Sequence, residues 1–223
     1  MTTIFFFGAS ITYGVGGEDG GWPDQIKRHY HKQMYGLDGI GEQYETYLFA
    51  KPGATVEFVL ETYAAQLEKY RSPGDKVIAI ISVGLNNAKA VGAPDNFVSS
   101  VKDYIQKMQS LLSDIAARVD HVVCVGFMPV DQLLTAPKAS SPDPTKQSYF
   151  YNNRVEEFNS AFQTATLNIG DNVSFINLFD RMTSANWTTS CLYTDGLHPN
   201  ADGHTWIYEQ VILDLEPIVK QLR

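Results

Sequence analysis

The chain has 223 residues, 44% of them hydrophobic and 19% charged, a composition that supports a sizeable folded core and excludes wholesale disorder. Its 25 acidic and 17 basic side chains give a formal charge of −8, and the basic residues are scattered, which argues against nucleic acid and anionic membrane as partners. Two cysteines, Cys124 and Cys191, make neither a disulfide framework nor a zinc cluster, and no apolar run approaches the length of a membrane span. One domain over residues 1–223 is expected, with no linker, repeat or low-complexity block dividing it. Met1-Thr2-Thr3 runs straight into the first apolar stretch without a signal-peptide pattern, so the expected location is cytoplasmic, or secreted if a signal has been removed.

Ile4, Phe5, Phe6 and Phe7, stopped by Gly8, suit a strand buried on both faces. Ser10 then falls just past the carboxyl end of that strand, the edge at which open α/β sheets bind ligands. A glycine-rich loop over 14–21 precedes Trp22-Pro23 and a helix expected to run to about Tyr35, with proline in its first turn. Residues 44–50 suit a second strand, broken by Lys51-Pro52-Gly53. Val56, Val59, Leu60, Tyr63, Ala64 and Leu67 then recur at helical spacing up to Tyr70.

Pro73-Gly74 turns the chain into a buried third strand over 76–83, followed by a loop from Gly84 to Pro94. An amphipathic helix is expected over 95–118 and a fourth strand over 121–127, with Cys124 inside it as a small core residue. Residues 129–147 are too long for an ordinary connection and suggest a lid or substrate-side loop, or a plain surface loop. Helix over 148–168, a short fifth strand over 173–177 and a closing helix over 200–222 complete the alternation. Strands alternating with helices imply a parallel sheet covered on both faces.

The second informative stretch is Thr194-Asp195-Gly196-Leu197-His198-Pro199-Asn200. Asp195 three residues before His198 can bring a carboxylate to the Nδ1 side of the imidazole, leaving Nε2 free to take a proton, which is the pairing a general base needs. Gly53 follows the second strand and lets a backbone N–H approach a substrate closely. Asn86 follows the third strand with a side-chain amide able to donate to developing negative charge. Ser10, Gly53, Asn86 and His198 are therefore all expected at one edge of one sheet. Of the other histidines, His29 and His31 are expected to be solvated. Asp195, His198, Asp202 and His204 match no familiar metal-ligand spacing.

In these blocks, Gly8-Ala9-Ser10, Gly53, Gly84-Leu85-Asn86-Asn87 and Asp195-Gly196-Leu197-His198-Pro199, the sequence resembles the SGNH superfamily, also called GDSL-type esterases and lipases, across nearly its whole length. The resemblance implies a three-layer α/β/α, flavodoxin-like fold with a five-stranded parallel sheet. It also implies a serine esterase with Ser10 as nucleophile, His198 as base, Asp195 as its orienter, and an oxyanion hole from the Ser10 and Gly53 N–H groups with the Asn86 amide. No metal or organic cofactor is implied, and the expected partner is a small-molecule substrate, a small or medium acyl ester, with O-acetylated carbohydrate and short-chain or lysophospholipid esters as candidates.

Two positions depart from the family pattern, which usually has aspartate where this chain has Ala9 and Asn87. They motivate an alternative, a catalytically weak or inactive carbohydrate- or acyl-binding module on the same fold. A nucleotide or flavin binder using the 14–21 loop as a phosphate cradle is a third reading, and it leaves Asp195 and His198 without a role.

Overall fold

Residues 1–35, 41–138, 142–182 and 186–223 are described in the computed structural model of the chain. Strand β1 (Thr2–Gly8) passes through Ala9 into a single helical turn, α1 (Ser10–Tyr13), and helix α2 (Trp22–Met34) follows the glycine-rich loop. Next come β2 (Tyr44–Ala50), α3 (Val56–Tyr70), β3 (Lys76–Ser82), the short α4 (Leu85–Ala88), β4 (Ala90–Val91) and α5 (Val101–Ala116). The second half holds β5 (His121–Val125), α6 (Gln132–Thr135), β6 (Ser148–Tyr149), α7 (Asn152–Thr166), β7 (Val173–Ile176), α8 (Leu178–Met182), α9 (Trp187–Ser190) and α10 (Ala201–Gln221).

The five longer strands pair in parallel in the order β2-β1-β3-β5-β7. Alternate residues of each strand enter opposite layers, as a pleated strand requires. Phe5, Phe7, Ala79, Ile81 and Cys124 pack with α3, α5 and α7 on one face. Ile4, Phe6, Ile78, Ile80 and Val123 pack with α2, α8, α9 and α10 on the other. This is the three-layer α/β/α sandwich implied above. Its strand order reverses between β1 and β3, so the loops after those two strands part there and leave a crevice at the carboxyl edge.

Some boundaries differ from the periodicity. The helix expected from residue 95 begins at Val101, because the Ser100 hydroxyl accepts the Asp103 N–H and caps it there. Residues 96 and 97 fold back instead on Ala90 and Val91, with the Val91 N–H donating to Asn96 O at 3.0 Å. Likewise Ser148 and Tyr149, expected as helix, form a two-residue strand antiparallel to β4. The helix after them starts at Asn152, whose side chain exchanges two hydrogen bonds with the Val130 backbone. The segment over 129–147 is thereby pinned at both ends, and its residues 139–141 lie outside the described residues.

His29 is not simply solvated, because it lies within hydrogen-bond distance of Tyr208 and Glu216 and ties α2 to α10. Among the described residues no helix is long and apolar enough to cross a membrane.

Candidate active site

Ser10 starts α1 immediately beyond β1. Its turn is closed by main chain alone: Ala9 O accepts the Tyr13 N–H at 2.8 Å, and Ser10 O accepts the Gly14 and Val15 N–H groups at 3.1 and 3.0 Å. Ala9 caps the turn without a side-chain hydrogen bond. Gly8 must be glycine for the serine to sit here, since a Cβ on it would stand 2.2 Å from Thr12 Oγ1 and 2.8 Å from Ser82 O. The sheet edge and the serine turn are in van der Waals contact.

From the far end of the chain, the loop between α9 and α10 brings His198 Nε2 to 2.9 Å from Ser10 Oγ. His198 Nδ1 lies 2.6 Å from Asp195 Oδ2, and Asp195 Oδ1 accepts the backbone N–H groups of Leu197 and His198, each at 3.0 Å. A fourth donor is Lys138, whose Nζ is 2.5 Å from the same Oδ2 that faces the imidazole. Burial alone would push the Asp195 carboxyl up, but the hydrogen bonds from His198, Lys138 and the two backbone N–H groups outweigh it and hold the carboxyl well below the usual carboxylate range. An ionised carboxylate only accepts, so His198 carries its proton on Nδ1. Nε2 is left as an acceptor for the Ser10 hydroxyl.

Asn86 lines the same crevice, and Gly53 immediately precedes Ala54, whose carbonyl Asn86 holds. Asn86 is buried in the turn of α4, where its Nδ2 donates to Ala54 O at 3.0 Å while its Oδ1 accepts from Lys89 Nζ at 3.3 Å. Those two partners fix which end of the amide is which, and one N–H remains beyond the Ala54 bond. Lys89 is itself held below the usual lysine range by burial and by the nearby charge of Lys138. Gly53 turns at φ +82° with open space where a side chain would stand, so a ligand can come up against its backbone.

Asn87 joins these two loops. It is completely buried, with Oδ1 accepting the Val56 N–H at 3.0 Å and Nδ2 3.0 Å from both Glu57 Oε2 and Ser99 Oγ. The loop carrying Gly53 is thus hung from the loop carrying Asn86. Burial works against ionisation of Glu57, but hydrogen bonds led by Lys107, with Thr55 and Asn87 contributing, bring its carboxyl down from 4.5 to about 2.

Around Ser10 the crevice divides. A largely enclosed cavity of about 30 Å³ lies beside Ser10 and Asn86, walled by Val83, Phe127, Phe150 and Leu197. An open groove of about 420 Å³ runs past His198 and Asp195 along Gly16, Gly17, Glu18 and Tyr193. Trp22 and Trp187 are core, whereas Tyr13 and Tyr193 are 54% and 51% exposed.

The glycines of the 14–21 loop are explained by close packing. A Cβ on Gly16 would meet Pro199 O at 2.2 Å, and one on Gly17 would meet Gly20 O at 2.3 Å. His204 is fully buried beneath that loop, accepting the Trp22 N–H on Nδ1 at 3.3 Å and donating from Nε2 to Val15 O at 3.1 Å. Both its ring nitrogens are taken, and no cluster of three metal-ligating side chains occurs among the described residues. The residues that spacing alone missed are Lys138, Lys89 and Glu57. Their only sequence signal is the overlong 129–147 segment carrying the first.

The profile of the GDSL-like lipase/acylhydrolase family matches residues 6–206, a span that holds every residue gathered at the crevice. No curated protein sequence matches significantly. Among solved structures, the lipase/acylhydrolase from Enterococcus faecalis is similar with a TM-score of 0.70 at 21% identity, over 97% of this chain and 96% of that one. The psychrotrophic esterase EstA from Pseudoalteromonas sp. gives 0.66 at 16% identity, over 99% and 100%. An acetylxylan esterase from Geobacillus stearothermophilus gives 0.66 at 12% identity, over 95% and 92%. These identities speak to the fold, whereas the family profile covers nine-tenths of the sequence. The chain therefore belongs to the GDSL-like lipase/acylhydrolase family and is a carboxylic ester hydrolase.

Proposed function

We propose that the chain hydrolyses short-chain acyl esters, acetyl esters of carbohydrate foremost, through an acyl-enzyme on Ser10. The observation that carries this reading is the unbroken hydrogen-bonded line from the Ser10 hydroxyl through His198 to an ionised Asp195. As Ser10 Oγ attacks the ester carbonyl, its proton passes to His198 Nε2, and Asp195 stabilises the imidazolium. The carbonyl oxygen, now an oxyanion, accepts from the Ser10 and Gly53 N–H groups and the remaining Asn86 N–H, each donor worth about 3 kcal/mol of barrier. Collapse breaks the C–O bond to the alcohol, which leaves with the proton from His198. Water then attacks acyl-Ser10 with the same base, releasing the carboxylic acid and restoring the hydroxyl.

The substrate class follows from the two spaces. A cavity of about 30 Å³ holds roughly two water-sized groups, the size of an acetyl group. The alcohol must sit against His198, which protonates it, so it occupies the open groove. There a carboxylate, Glu18, and a half-exposed ring, Tyr193, suit the hydroxyls and faces of a sugar. Similarity to acetylxylan esterases supports the same direction.

The test is fluorophosphonate labelling followed by a p-nitrophenyl ester series from acetate to octanoate, on wild type and Ser10→Ala. Labelling of the wild type alone is expected, with kcat/KM falling at least about tenfold between acetate and octanoate, on the order of 1.4 kcal/mol of lost transition-state binding. Turnover retained by Ser10→Ala would overturn the nucleophile, and a preference for octanoate would overturn the acetyl pocket.

A further inference from the structure

Lys138 does not belong to the loop that carries His198 and Asp195, yet its ammonium lies 2.5 Å from Asp195 Oδ2, the oxygen that His198 Nδ1 approaches to 2.6 Å. Only 16% of its side chain is exposed, against 28% for Asp195, so this is not a surface ion pair. Main chain delivers it. The Lys138 N–H donates to Ser148 O at 2.7 Å, and the Asp131 N–H donates to Gly196 O at 2.8 Å. Between them the Thr135 hydroxyl contacts Asp131 O and Phe150 O. Residues 131–138 are thereby strapped across the loop they serve.

A carboxylate that faces an imidazole alone gives its full charge to the imidazolium formed when the nucleophile loses its proton. Here a permanent cation shares the same carboxylate oxygen. Through that shared oxygen, the ammonium and Nδ1 stand no more than about 5 Å apart, well inside the range of strong charge–charge coupling in a partly dry site. Protonating His198 therefore places one cation beside another.

The remaining charged and titratable groups around His198 do not duplicate this effect. His204 on α10 has both ring nitrogens bonded to main chain. Glu18 and Tyr193 line the open groove, and Lys89 hydrogen-bonds Asn86.

We propose that Lys138 is a positioning residue that makes His198 a weaker base by sharing Asp195 with it, extending ester cleavage to lower pH. The proposal rests on the reading of Ser10, His198 and Asp195 as nucleophile, base and orienter. Its signature is the acid limb of the pH profile of kcat/KM, which reports protonation of the base in the free enzyme. A carboxylate relieved of the lysine holds the imidazolium more tightly, so the limb moves up in pH.

The experiment measures kcat/KM for p-nitrophenyl acetate from pH 4 to 9, together with fluorophosphonate labelling rates, for wild type, Lys138→Met, Lys138→Gln and Lys138→Arg. In Lys138→Met the acid limb is expected to rise by about one pH unit. It is expected to rise equally in Lys138→Gln, whose amide keeps a donor on Asp195 if the methionine variant folds poorly, and to return to the wild-type position in Lys138→Arg. A uniform loss of rate with an unmoved limb in the methionine and glutamine variants would overturn the proposal and leave the lysine as a strap. Absence of labelling in the wild type itself would instead overturn the triad on which it rests.

Discussion

Asn87 shows how a single side chain ties the loops of Gly53 and Asn86, the proposed oxyanion side, together. Where the family usually has aspartate, the amide keeps the acceptor that an aspartate would offer, since Oδ1 takes the Val56 N–H, and it adds a donor that reaches Glu57. Glu57 is what makes the substitution intelligible. A carboxylate at position 87, itself fully buried, would meet that of the partly exposed Glu57 at about the present 3.0 Å. Asn87→Asp is therefore expected to destabilise the fold by about 2–3 kcal/mol at pH 7, read by urea unfolding. Glu57→Gln in the same chain should return much of that loss, and independent effects of the two substitutions would show that the carboxylates do not meet. Ala9 is the simpler departure, because the backbone hydrogen bonds from Tyr13, Gly14 and Val15 already close the serine turn without a side-chain acceptor.

At the level of elements, the segment between β5 and α7 does most to shape the site. It supplies Lys138 to Asp195, and its end supplies Phe150, whose N–H donates to Thr135 O at 2.9 Å and whose ring closes the small cavity. The two-residue strand at Ser148 and Tyr149 holds that ring in place through its pairing with β4. Truncating the ring in Phe150→Ala is expected to lengthen the preferred acyl chain from two carbons to four or more at a cost of about 3 kcal/mol in stability. The p-nitrophenyl ester series and a denaturation curve measure both. Unchanged chain-length preference would mean that the acyl group lies elsewhere. None of this was legible in the residues themselves. Length marked the 129–147 segment as unusual, but a lysine inside it has no periodicity or neighbour that would point to Asp195, 57 positions away.

For the whole molecule, the alternation of apolar runs was legible because buried parallel strands such as residues 4–7 and 77–81 are continuous apolar stretches that need no partner to be recognised. The helix boundaries were less so. Amphipathic spacing extends from Phe97 into α5, whereas capping by Ser100 and pairing of residues 96 and 97 with the β4 strand end the helix early. The same long-range ties govern acid stability. Glu57, at about 2 in the fold and 4.5 otherwise, contributes stability that is fully present above its unfolded value and is lost as pH falls toward 2. With about a third of its side chain exposed, that contribution is about 1–2 kcal/mol, and Glu57→Gln is expected to flatten the fall in unfolding free energy between pH 5 and pH 2 by this amount. An equally steep fall in the variant would assign acid sensitivity to other groups.

The neutral ring of His204 has a further bearing on where this enzyme can work. Its Nδ1 must stay unprotonated to receive the Trp22 N–H, and burial lowers its affinity for a proton. The stability it lends is therefore full above its unfolded value of 6.5 and drains away as the solution is acidified through the lower folded value. What it holds is Val15 and the entry to α2, one bank of the groove proposed to receive the alcohol. Acid therefore bears on the architecture of this groove as well as on any proton transfer within it: charging the His204 ring would cost the bond from the Trp22 N–H and loosen the bank that Val15 forms.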